Sequence, residues 1–275
     1  MLSIPFSVFK GKIMDENAFI TIPHENGTTS VRVITLDETT STNDFLKCCP
    51  MPEDTDMLVL TAQHQTAGRG QGSNKWESAA GENLLFSILV EPTMVPIAQQ
   101  FVLSMACALA LKEALSHYAE GFSLKWPNDI YWQDRKISGT LIETSVTGRT
   151  LTRCVFGSGI NINQQRFHGD APNPVSLFHI IGSATPTEEV LHEVLQAFAK
   201  YYNKVAKGRY LEIEQLYHES LYRREGWHEY RDSEGNFIAS IDRVGLDGRL
   251  HLTLQDGSRR SYAFKEVAFV LPENL

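Results

Sequence analysis

Apolar residues in the first half of the chain fall into short runs separated by turn residues. Val31–Leu36, Met57–Ala62 and Leu84–Val90 are aliphatic or β-branched runs of strand length. From Ile97 to Tyr118 the pattern changes: Phe101, Met105, Ala108, Leu109, Leu111 and Leu115 recur at helical spacing and predict the longest helix, packed across a sheet and ended by Gly121. Residues 122 to 143 then read as two strand-like stretches and the start of a third, joined by a Pro-Asn-Asp and a Gln-Asp-Arg-Lys turn. Strands follow at Ile137–Val146 and Leu151–Phe156, and residues 164 to 186, with Pro172, Pro174 and Pro186, predict a surface connection. Helices are expected at Thr187–Lys207 and Tyr210–Arg223. From Trp227 onward, short alternating stretches with Asp-Gly and Glu-Gly turns predict a small β unit. Residues 1 to 30 mix Pro, Gly and Asn with the apolar pieces Phe6–Phe9 and Ala18–Ile22, and suit an irregular strand pair or an arm, with regular structure beginning at Val31.

Composition narrows the class. With 275 residues, 42% of them hydrophobic, the chain can fill one large core and a small one. A net charge of −8 argues against a broad nucleic-acid footprint while leaving room for a local basic pocket. The four cysteines form no CxxC pair and have no histidine at metal spacing, which fits reduced thiols in a cytoplasmic protein better than a zinc site or disulfide scaffold. No window approaches eighteen uncharged apolar residues and no signal-peptide pattern opens the chain, so neither membrane insertion nor export is expected.

The candidate chemistry lies between the second and third apolar runs. Gly68, Gly70 and Gly72 at alternate positions free the backbone to adopt positive φ and aim its amides at one point, as an anion nest does. Arg69 and Lys75 add positive charge, and Trp76 offers a flat face for a purine or a bicyclic ligand. The same segment also suits a surface hairpin whose tryptophan caps the core. It is not a Walker loop, because no Gly-Lys-Ser/Thr follows the glycines. Ser41 and Thr42 either cap a short helix or donate into a pocket beside its start. Pro127 stiffens the turn that carries Lys125, Asn128 and Asp129; Lys136 stands at the entrance to the next strand, and Asn161 and Asn163 point the same way.

Taken in order, Ser41-Thr42-Asn43, Gln65-Thr-Ala-Gly-Arg-Gly-Gln71 with Trp76, Gly81-Glu-Asn83, Lys125-Trp-Pro-Asn-Asp129, Asp134-Arg-Lys136-Ile-Ser-Gly139 and Gly157-Ser-Gly-Ile-Asn161 resemble the biotin protein ligases. The resemblance implies an α+β fold, a central mixed β-sheet flanked by helices of the class II synthetase-like, biotin-lipoate ligase type, with a small C-terminal SH3-like β-barrel. It divides the chain into an extension over 1–30, a catalytic domain over 31–223 and the small domain over 224–275. It implies ATP, biotin and substrate-associated Mg2+, with a biotin carboxyl carrier protein or domain of an acyl-CoA carboxylase as the protein partner, in a monomer or homodimer.

By the same resemblance Ser41, Thr42, Gln65, Gly68 and Arg69 meet biotin, with Lys136 at its carboxylate. Gln71, Trp76, Asn83, Lys125, Asn128 and Asn161 line the nucleotide side. Lys136 and Arg69 are expected to be catalytic, and Asp129 either holds its turn or assists the metal and amine chemistry; the resemblance names no metal ligands. Many family members carry arginine where this chain has Gln71 and a basic residue where it has Asn74, which leaves the phosphate fewer charged contacts and Lys75 as a substitute. The short segment ahead of Val31 predicts a monofunctional enzyme without a DNA-binding repressor domain. The competing expectations are a lipoate or octanoate ligase on the same fold, and a biotin-sensing protein without turnover.

Overall fold

The computed structural model describes residues 13–24, 27–72, 74–169 and 173–271, without the side chains of 13–17. The apolar piece Phe6–Phe9 lies outside the described residues. In chain order the elements are β1 (Ile13–His24), β2 (Gly27–Thr39), α1 (Thr42–Cys48), β3 (Met57–Gln65), β4 (Leu84–Val90), α2 (Phe101–Ser116), β5 (Phe122–Lys125), β6 (Asp129–Trp132), β7 (Arg135–Thr147), β8 (Thr150–Ile160), α3 (Leu177–Ile181), α4 (Thr187–Ala206) and α5 (Tyr210–Glu219). The C-terminal strands are β9 (His228–Asp232), β10 (Gly235–Val244), β11 (Leu250–Leu254), β12 (Arg259–Tyr262) and β13 (Ala268–Phe269).

Strands β1 to β8 form one eight-stranded mixed sheet in the order β1-β2-β3-β4-β8-β7-β6-β5, with β2 and β3 parallel and the other pairs antiparallel. Regular structure thus begins earlier than Val31. Residues 18–24 pair with Gly27–Val33, so much of the expected arm is the sheet's edge strand. Alternation is hard to read there because Phe19, at 55% exposed, is an outward apolar residue on an edge.

Strand β4 is buried along its whole length, since layers cover both faces of the sheet. Leu84, Phe86, Ile88 and Val90 face the main core with α2 and α4, where Phe156 meets Phe198 edge-on at 5.1 Å. The longest helix is α4, not α2. Leu89 faces the other way, with Ile34, Leu60 and Val155, onto Phe45 and Leu46 of α1. Seven residues do not hold a helix by themselves; burying Phe45 and Leu46 contributes about 1.5–3 kcal/mol each and fixes α1 on the sheet. The expected connection over 164–186 contains α3, opened by a capping box in which Ser176 and His179 satisfy each other's backbone amides. Five helical residues between prolines are too few to show a period.

The C-terminal strands form a five-stranded antiparallel sheet, β12-β11-β10-β9-β13, consistent with an SH3-like unit though not a closed barrel. It docks against the turn that bears Lys125 and Asn128. Trp126 is buried there, donates its Nε1 hydrogen to Gly248 O (3.0 Å) and meets Phe264 at 6.2 Å. Arg223 donates to Glu229 O and Val270 O. Trp126→Phe removes one hydrogen bond and part of a buried ring, and should lower stability by about 1–3 kcal/mol in urea unfolding, with faster amide exchange around Gly248 than elsewhere in the small sheet. Unchanged exchange at that contact would contradict the docking role.

Candidate active site

The start of α1 and the facing strands enclose a buried polar cluster. Ser41 is the N-cap, its Oγ accepting from Asp44 N. Thr42 donates from both N and Oγ1 to Gln65 Oε1 (2.8 and 3.1 Å). Ser87 Oγ lies 2.7 Å from Thr42 Oγ1 and 2.6 Å from Asn43 Oδ1, while Asn43 Nδ2 donates to Leu141 O and Glu143 Oε2. Ser87 and Glu143 were not anticipated from the sequence. The available signal was that Ser87 is the one polar residue in the run Leu84–Val90; nothing local marks Glu143, which reaches the cluster from a distant strand.

Beside this cluster the sheet is floored by glycines. Gly139 of β7 and Gly159 of β8 are register partners, and Gly157 pairs with both Leu141 and Ser87. A Cβ on Gly157 would collide with the Asn43 amide. One on Gly159 would lie 2.5 Å from Trp76 Nε1, and one on Gly139 would lie 3.1 Å from Lys136 Nζ and 3.2 Å from Asp129 Oδ1. Asn43 and Trp76 from other segments, and Lys136 from β7 itself, therefore rest directly on backbone. Lys136 Nζ pairs with Asp129 Oδ1 (2.7 Å) and stands 5.9 Å from the Trp76 ring. Trp76 Nε1 is buried and has no hydrogen-bond partner.

The glycine segment is a narrow hairpin. Trp76 N donates to Gly68 O and Gly70 N to Asn74 O, and Arg69 faces Lys75 in an isolated antiparallel bridge. Of Gly68, Gly70 and Gly72 only Gly72 has positive φ (+70°). The other two serve close approach instead: a Cβ on Gly68 would sit 2.8 Å from Trp76 O, and one on Gly70 3.2 Å from Asn74 Cβ. Some amides expected to form a nest are thus spent inside the hairpin. Gln71 at its tip keeps a buried, unpaired Oε1.

Arg69 does not turn toward Lys136. Its guanidinium reaches Asp44 (2.6 Å) and Glu143 (3.1 Å), and Lys47 pairs with both carboxylates. Burial would raise the Glu143 carboxyl, but hydrogen bonds from Lys47 and Asn43, with the Arg69 charge, outweigh it and hold the group below the usual carboxylate range. Lys125 stands between the rings of Tyr131 and Phe269, 5.0 Å from each. Burial lowers its pKa, opposed by Asp129 and assisted by Lys136 and Arg223.

The asparagines act on backbone. Asn128 Nδ2 donates to Thr140 O. Asn83 donates to Gln164 and Ser78 and accepts from Ile162 N; Asn161 donates to Val175 O. Asn163 does not follow Asn161 and is bonded to Thr185. The structure thus gathers Thr42, Gln65, Trp76, Asp129 and Lys136 on one face of the sheet, sets Lys125 against Phe269 of the small sheet, binds Asn128 to Thr140 of β7, and uses Asn83 and Asn161 to shape the strand ends.

The fold is that of the biotin and lipoate ligases: the Biotin/lipoate A/B protein ligase family model matches residues 35–161. The biotin–[acetyl-CoA-carboxylase] ligase of Paracoccus denitrificans is 32% identical over 174 residues, which cover 60% of this chain and 71% of that one. The chain belongs to the biotin protein ligase family. The bifunctional ligase/repressor of Bacillus spizizenii is 29% identical over 220 residues, and this chain spans 65% of its length. The biotin protein ligase of Aquifex aeolicus in complex with biotin and ATP superposes with a TM-score of 0.72 at 27% identity, covering 87% of this chain and 99% of that one.

Two outcomes test this geometry. Gly159→Ala places a methyl group within the Trp76 ring and should displace the indole, shifting its fluorescence while far-ultraviolet circular dichroism stays unchanged; an unshifted spectrum would remove Trp76 from the floor. The second concerns pH. Because the folded pKa of Glu143 lies below its unfolded value of about 4.3, its contribution is present above that value and is lost as pH falls through the folded pKa. Glu143→Gln should therefore cost about 1 kcal/mol at pH 7, a figure already reduced for solvent screening, and the difference from wild type should shrink in unfolding curves below about pH 4.

Proposed function

We propose that this chain is an ATP-dependent biotin protein ligase. It forms biotinyl-5'-adenylate with release of pyrophosphate, then passes the biotinyl group to a lysine amine on the biotin carboxyl carrier domain of an acyl-CoA carboxylase. The observation that carries the reading is the glycine floor on which Trp76 and Lys136 lie side by side, next to the buried cluster of Thr42, Asn43, Gln65 and Ser87.

A ureido ring brings donors and acceptors that must be paired when buried, and the cluster supplies both kinds. This favours biotin over lipoate or octanoate, whose linear chains ask for an apolar slot. Ser41 and the Gly68–Arg69 backbone complete that end. Lys136 meets the carboxylate; exchanging Asp129 for the substrate anion keeps the ammonium neutralised and orients the attacking oxygen. Its charge and that of Arg69 offset the repulsion between carboxylate and triphosphate. Trp76 presents its face to the purine, with Lys125, Asn128 and Gln71 nearby, while Asn83 and Asn161 act through the backbone they hold. No enzyme nucleophile is needed, because the carboxylate attacks the α-phosphorus and the acceptor amine attacks the resulting anhydride.

Among the described residues no group of three His, Cys, Asp or Glu side chains is placed to hold a metal. That donor set fits Mg2+ carried mainly by the phosphates, with Asp129 as the neighbouring carboxylate; the ion would neutralise phosphate charge. A cytoplasmic setting suits four free cysteines, three of them buried. Among the described residues, no helix is long and apolar enough to cross a membrane.

Incubation with biotin, ATP, Mg2+ and a carrier domain should add one biotinyl mass to the carrier. Lys136→Ala should reduce pyrophosphate release by on the order of 10²-fold or more while leaving the fold intact. An unlabelled carrier and no pyrophosphate from the wild type, or full activity in the variant, would overturn the reading.

A further inference from the structure

Between β12 and β13 the small sheet makes a tight turn over Ala263 to Glu266. It is closed by Glu266 N donating to Ala263 O (3.1 Å) and Ala263 N donating to Glu266 Oε2 (2.6 Å). Phe264 pins the turn against Trp126. Lys265 holds φ +71°, a left-handed conformation that a residue with a Cβ adopts only at a cost. Its side chain leaves the small sheet and reaches the tip of the glycine hairpin, where a Cβ on Gly72 would collide with the ammonium and lie 3.2 Å from Lys265 Cε. Gly72 thus admits a cation from another part of the chain against the hairpin backbone.

The hairpin's own cations are otherwise disposed. Arg69 is held by Asp44 and Glu143, and Lys75 is exposed on the arm facing Arg69. Lys265 has no carboxylate within ion-pair distance among the described residues. Lys265 is exposed, its ammonium 5.8 Å from the Phe264 ring and against the hairpin backbone, so it offers an incoming anion a positive charge with no carboxylate partner among the described residues.

We propose that Lys265 is a polyphosphate-binding residue of this ligase, brought from the C-terminal sheet to the tip of the glycine hairpin, where it meets the β- and γ-phosphates of ATP. The proposal rests on the ligase reading. In that reaction a carboxylate oxygen bonds to the α-phosphorus, the bond from that phosphorus to the bridging oxygen breaks, and the pyrophosphate leaves with the electron pair. A cation over the departing group stabilises the charge that accumulates there. The nucleotide site is then complete only while the small sheet is docked.

Lys265→Gly separates charge from structure, since it deletes the ammonium and relaxes the left-handed backbone. Its unfolding temperature should equal or exceed that of the wild type, while the KM for ATP in pyrophosphate release at saturating biotin rises on the order of ten-fold. The KM for biotin should change by less than about two-fold, Lys265→Arg should retain wild-type values, and adding Gln71→Arg to Lys265→Gly should recover part of the loss. An unchanged KM for ATP in Lys265→Gly, or an equal rise for ATP and biotin, overturns the proposal with the ligase reading intact. A wild type that releases no pyrophosphate overturns the ligase reading, and the proposal with it.

Discussion

Close approach of side chains to bare backbone is the constraint on which the site depends. Asn43 arrives from a helix start and Trp76 from a hairpin, while Lys136 folds back from β7 itself, and they fit on one patch only because β7 and β8 offer Gly157, Gly159 and Gly139 there. A single methyl group at any of the three would need a shift of a few tenths of an ångström or more in a neighbour. The interior on the other face of the sheet has little slack to absorb it, because α2 and α4 press there on Phe86 and Phe156, with Phe198 of α4 edge-on to Phe156. The large core thus acts as the rigid backing of a surface that must be flat to atomic precision.

Charge at the site is arranged as pairs that can be exchanged. Lys136 rests on Asp129, and Arg69 rests on Asp44 and Glu143. Pairs with this degree of exposure contribute about 0–1 kcal/mol each, so replacing a resting carboxylate by an anionic substrate costs little and leaves no buried cation unpaired at any stage. Hydrogen bonds from Lys47 and Asn43 keep Glu143 ionised and able to hold Arg69 until an anion competes for it.

Much of the sheet was legible in the sequence because β3 and β4 have nearly continuous apolar runs and α4 a clear period. The candidate site residues were named through the resemblance of motifs to the biotin protein ligases, and the turns that carry them are ones that Pro127 and the glycines shape. What remained hidden depends on partners far away in the chain. The alternate glycines suggested positive φ, yet at Gly68 and Gly70 the need is for space between hairpin arms. The bonds of Asn83 to Gln164, Ser78 and Ile162, and of the Asn161 Nδ2 to Val175 O, could not be read from the sequence either. β1 was blurred by its exposed edge, and α3 was too short to repeat.

The small C-terminal sheet shows the same dependence on distance at larger scale. Its sequence pattern marks strands but carries nothing to connect Phe264 with Trp126, or Lys265 with Gly72, which are separated by well over a hundred residues. Trp126 lies one residue from Lys125 and two from Asn128, so the indole bonded to Gly248 ties the small sheet directly to the turn that bears both. Motion of that sheet would disturb the Lys125 ring cage, through Phe269, and the hairpin tip, through Lys265, at the same time. The unit outside the family-matched residues is therefore coupled to the candidate site by side chains at its rim.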